Sequence, residues 1–253
     1  MSSRSSHIGL LGAIRPPRGT LLCLSLTIIG CQSAGPRDVA RETPRTAQVQ
    51  AQPAAPIDPN KGCGLAVAQR TSDAGCWLTV QTALGVLNDA PLFWHVYSYA
   101  SATDANAARS PRGTTAEAFG KHWLFAIEPQ GWKPASGERL AVVGPLNVKG
   151  DVSYTARYME AVFPAGYTTP LVGHRHSGAE AWYILTGAQC LETPTGPMVL
   201  RAGESGMVPQ GPPMSISVVG PDTRRAVLLV LHPTAEPWVS SAADWTPKGI
   251  CPK

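Results

Sequence analysis

His174 and His176 are separated by one residue, so on an extended strand both imidazoles project from the same face. Glu180 keeps the same parity, with Ser177-Gly178-Ala179 forming a turn between. Two imidazoles and one carboxylate that converge make a facial donor set with open positions, which suits non-haem iron(II). The same donors also accept Zn, Mn, Ni or Cu, so the residues point to a divalent metal, iron first, without selecting it. An HxH pair alone is weak evidence, and the surrounding pattern carries more.

The run His174-x-His176-x3-Glu180-x6-Gly187 resembles the first motif of the cupin superfamily, and Gly203-x5-Pro209-x-Gly211 resembles the start of its second. The glycine usual six residues before the first histidine is absent, and Gly166 lies two residues further upstream. The resemblance covers residues 150–235. It implies a single cupin-type barrel, a double-stranded β-helix or jelly roll, with the metal between its sheets near one mouth. Three ligands carry over by the match: His174, His176 and Glu180. The fourth does not, because Met214 stands where the last histidine is expected and Val218 where an Asn is usual. Met214 is then either a soft thioether ligand favouring copper, an apolar filler of the wall, or the mark of a lost metal site.

Other residues are candidates for the pocket. Tyr183 and Gln210 flank the expected mouth, and His232 ends the last strong strand, where it would serve as substitute ligand or acid/base. Glu160 shares parity with Tyr154 and Tyr158 on the strand before the first motif. His95 and His122 read as near-core residues, and Arg224-Arg225 as a solvated pair.

The elements that must position these groups are short strands. From Asp151 onward, apolar runs alternate with turn signals, giving strands at 154–163, 171–176, 180–185, 189–193, 198–200, 205–208, 214–219 and 225–232. Upstream, residues 61–149 read as a small α/β module. It has strands at 76–83 and 92–99, a short helix from Ala105 capped near Ser101, and one or two strands over 114–127. The fold class is therefore mainly β, with the barrel at 150–253.

Residues 1–30 read as an export signal. Arg4, Arg15 and Arg18 precede an apolar stretch from Leu21 to Ile29, which is too short to cross about 30 Å of hydrocarbon. Ile28-Ile29-Gly30-Cys31 resembles the bacterial lipobox, although Ile29 is bulkier than usual there; the resemblance makes Cys31 the lipidated N-terminus. Gln32 after it suggests release to the outer membrane, on the periplasmic side. Residues 31–60 lack aromatics and periodicity and are rich in Ala, Pro and Gln, which reads as a disordered tether. The four cysteines beyond it, Cys63, Cys76, Cys190 and Cys251, suit an oxidising compartment. They allow three connectivities, of which Cys63–Cys76 with Cys190–Cys251 is preferred.

The formal charge is +4, and removing the three signal arginines leaves +1, so nothing electrostatic points to nucleic acid. Two function classes stay open. One is a metal-dependent enzyme, an oxygenase or an isomerase/lyase, acting on a small organic molecule. The other is a non-catalytic lipoprotein that binds a small molecule or metal through a degenerate site. The partners implied are that small molecule, the membrane through the lipid anchor and, by resemblance, a second copy of the chain.

Overall fold

A computed structural model describes residues 63–87, 91–168 and 173–253. The signal segment, Cys31 and the tether lie outside the described residues. Fourteen strands follow in chain order: β1 (Gly75–Val86), β2 (Leu92–Tyr99), β3 (Gly113–Ala118), β4 (Lys121–Pro129), β5 (Glu138–Leu146), β6 (Ser153–Phe163), β7 (His174–His176), β8 (Ala179–Thr186), β9 (Ala188–Thr193), β10 (Gly196–Arg201), β11 (Ser205–Val208), β12 (Ser215–Val219), β13 (Arg224–Pro233) and β14 (Val239–Ser241). The α-helix α1 (Ala102–Ala107) is capped by the Ser101 hydroxyl, which accepts from the Asp104 amide, and a single 3-10 turn spans Val67–Gln69. No helix among the described residues is long and apolar enough to cross a membrane.

Three layers result. The central layer is a five-stranded antiparallel sheet in the order β1-β6-β13-β8-β11. Facing one side of it are β10-β9-β12 and the pair β14-β7, joined where Met214, just before β12, bridges to His174. Together these make the two-sheet double-stranded β-helix, whose ladders remain separate sheets. Against the other side lies a four-stranded sheet, β3-β4-β2-β5.

The central strands read as nearly continuous apolar runs because both of their faces are buried. Along β13, Ala226, Leu228 and Val230 join the core between the β-helix sheets, while Val227, Leu229 and Leu231 join the core against the four-stranded sheet. The same split divides β6, with Met159, Ala161 and Phe163 on the inner side and Ala156 and Tyr158 on the outer.

Residues 63–149 share a sheet with the strands that follow them. Their first strand, β1, is an edge strand of the central sheet, paired with β6 from Gly75↔Val162 to Val86↔Ser153. The remainder is a nearly all-β layer whose Trp94, Trp123, Phe125 and Ile127 share one core with β6, β8 and β13. Pairing between residues so far apart in sequence leaves no local signal.

Two disulfides are formed, Cys63–Cys76 and Cys190–Cys251. The second ties the C-terminal segment to β9. Two residues further along β9, the buried Glu192 carboxylate accepts from the consecutive amides of Lys248, Gly249 and Ile250.

Candidate metal centre

β7 carries both histidines, and Glu180 is the second residue of β8. The link between the strands depends on Gly178. A Cβ there would stand 1.7 Å from the Leu231 carbonyl oxygen, so only glycine lets the turn pass this close to β13. β7 is gripped on both edges. Val239 and Ser241 of β14 pair with His176 and His174, and the Met214 backbone exchanges two hydrogen bonds with His174, at 2.8 and 3.1 Å.

The result brings one donor atom from each of His174, His176 and Glu180 within 4.8 Å of the others. All three residues are buried, at 8%, 4% and 4% exposure. His176 Nδ1 lies 2.8 Å from the Trp238 carbonyl oxygen. A carbonyl oxygen only accepts, so Nδ1 carries the proton and neutral His176 presents a bare Nε2 on its other side. That Nε2 is 2.9 Å from Glu180 Oε2, yet neither atom has a hydrogen bond of acceptable geometry.

Two buried acceptors that face one another need a cation between or beside them. A proton on Nε2 is one answer: burial lowers the His176 pKa, but the Glu180 carboxylate and the Trp238 carbonyl more than offset this, and the net direction is upward. A divalent metal is the other, and the donor set fits it. Burial first, and then the neighbouring His176, push His174 down to about 4, so its imidazole is neutral and its lone pair available near neutral pH. The carbonyl that orients His176 is the outer-shell contact a ligating imidazole ordinarily has.

The three residues line a cavity of about 50 Å³ between the β-helix sheets, bounded by Met159, Trp182, Leu228, Trp238 and the Cys63–Cys76 disulfide. Arg224 also lines it.

The remaining sequence candidates lie elsewhere. Met214 is 1% exposed, belongs to the inner core and does not line the cavity; its backbone, rather than its sulfur, engages the site. Tyr183 stands on the outer face of β8, opposite in parity to Glu180, and packs against the other core. Gln210 is exposed in the turn before β12. His232 faces the inner side, but its Nδ1 is engaged by the Pro233 carbonyl at 2.8 Å and it does not line the cavity. Glu160 turns outward to an ion pair with Arg70 at 3.1 Å.

Three residues that matter here were not read from the sequence. Trp238 supplies the orienting carbonyl and stacks on His176 with ring centroids 5.6 Å apart. Arg224, read as solvated, is 0% exposed, and Gln189 beside it is fully buried too. The available signal for Arg224 was its parity with Ala226, Leu228 and Val230 on β13.

No family model matches the chain, and no curated protein matches it. Solved structures similar to it include an uncharacterised conserved protein with a double-stranded β-helix domain from Klebsiella pneumoniae (15% identity, 39% of this chain and 77% of that one, TM-score 0.30). Another is a cupin superfamily protein from Desulfitobacterium hafniense (17% identity, 34% and 73% covered, TM-score 0.27). A cupin domain from Bordetella pertussis is a third (25% identity, 34% and 88% covered, TM-score 0.26). The strand order of this chain itself defines a mainly β, double-stranded β-helix protein with a candidate metal site.

Proposed function

We propose that the chain is an envelope lipoprotein of the cupin type that binds a divalent metal, iron first, through His174, His176 and Glu180 and acts on a small organic molecule in the adjoining cavity. The observation that carries this reading is the bare His176 Nε2 facing the Glu180 oxygen at 2.9 Å beside a neutral, buried His174. A metal bound there supplies Lewis acidity, or redox chemistry with dioxygen if it is iron. The chain's own residues hold and shape the site. Trp238 fixes the His176 tautomer, and Glu180 supplies negative charge. The walls of Met159, Trp182 and Leu228 exclude bulk water, which strengthens every charge interaction inside. The absence of a fourth protein ligand at Met214 leaves room for substrate. The two disulfides support export to an oxidising compartment, in keeping with the signal and Cys31 read from the sequence.

Elemental analysis of the purified chain tests the reading, with a His176→Ala variant alongside. One ion per chain that disappears in the variant is the expected result. No ion in either protein after supplying Fe, Mn, Zn and Cu in turn would leave a metal-free binding protein as the better account.

A further inference from the structure

Across the inner face from the metal triad lies a group of polar atoms with an unusual imbalance. Arg224 opens β13 beside Gly187, where a Cβ on that glycine would come within 3.0 Å of the Arg224 Cα. Its guanidinium is completely buried, lies over the Phe163 ring at 5.1 Å and donates from Nη2 to the Gln189 side-chain oxygen. Its Nε and Nη1 have no partner, and neither does the Gln189 amide nitrogen. Tyr167, stacked on Phe163 at 4.3 Å, closes the same corner and lines the same cavity as Arg224.

Every unpartnered polar atom of Arg224 and Gln189 is thus a donor, and no carboxylate among the described residues touches the guanidinium, on which Glu180 acts only through space. A buried cation with no carboxylate in direct contact is costly, and buried donors without acceptors add to the cost. Such a corner is completed from outside, by something that is negative and rich in acceptors. The geometry points to a carboxylate subsite: the cavity takes a small organic carboxylate, whose oxygens accept from Arg224 Nε and Nη1 while Gln189 holds the guanidinium through Nη2. Charge-assisted hydrogen bonds of this kind are the strong ones. The cavity's 50 Å³ limits the ligand to a few heavy atoms. The inference uses the cavity of the proposed function but does not require the metal.

Acetate, with acetamide as its neutral isostere and chloride as a plain anion, separates the possibilities. Binding to the disulfide-bonded chain is measured by calorimetry and by thermal midpoint, on metal-stripped and metal-supplied protein. The expected result is saturable binding of acetate to the stripped protein, with acetamide and chloride inert. Arg224→Lys keeps the charge and loses the planar fork, and weakens acetate about tenfold or more. Gln189→Leu removes the acceptor that holds the guanidinium and weakens acetate in a second variant, so the inference stays testable if the arginine variant does not fold.

Acetate that binds no better than acetamide, or no better than chloride, overturns the carboxylate subsite. So does undiminished binding in folded Arg224→Lys. Acetate that binds only when metal is present also overturns it while leaving the metal reading intact. Acetate bound by a protein that never takes up metal supports the subsite while the metal reading fails.

Discussion

The two faces of the central sheet are made from the same strands and serve opposite ends. Outward, Ala156, Tyr158, Ala181, Val227 and Leu229 meet Trp94, Trp123 and Phe125, and the contact is a stack of rings, with Phe125 4.8 Å from Tyr158 and 5.9 Å from Trp123. Inward, one residue along each strand, Met159, Trp182 and Leu228 share their space with His174, His176, Glu180 and Arg224. The outer face spends its side chains on cohesion. The inner face gathers ionisable side chains, several of them with buried atoms that have no partner in the protein.

The sharpest way to break the contrast is to damage the outer face alone. Phe125→Ala should cost about 3–5 kcal/mol of stability, measured by urea unfolding, because a buried ring leaves a cavity. Metal content in the folded fraction should be unchanged. Gly178→Ala attacks the inner face through the backbone. Its Cβ has no space against Leu231, so about 1–3 kcal/mol should be lost, and metal binding should fall with it as β7 shifts against β8. Met214→Leu keeps the volume and removes the sulfur. A change of less than about 1.5 kcal/mol with full metal occupancy is expected, and loss of metal would make the thioether a ligand after all.

The smallest effect concerns acid. Burial holds His95, in the outer layer, below the ordinary value of 6.5, so the unfolded chain takes up its proton first as pH falls. Stability contributed by neutral His95 is complete above about 6.5 and is lost below it. A His95→Gln variant should show a shallower decline in thermal midpoint over that range than the parent.

Much of the candidate metal site was legible because it is local. Two histidines at a spacing of two and a carboxylate of like parity sit on adjoining strands across one turn, so period-two reasoning reaches all three. The same reasoning places Tyr183 on the opposite face from Glu180, and its assignment to the mouth set that parity aside. Arg224 was hidden for a different reason. β13 is apolar on both faces, so nothing in Ala226–Leu231 says which parity looks inward until β6 and β8 are placed beside it. β5 was not read from the sequence; its strand runs through Gly144-Pro145 to Leu146. β14, only three residues long, exists because β7 has a free edge to pair, which is a tertiary fact. The third layer escaped because its core is shared with strands far along the chain.

The grip of β14 on β7 also sets an order of events in time. A chain is made from its N-terminus, so His174 and His176 emerge while one edge of their strand has no partner. Trp238, whose carbonyl fixes the His176 ring, follows 62 residues later. Until that stretch has arrived, the growing chain has its histidines but not the carbonyl that orients His176, so the candidate metal centre is completed late in synthesis.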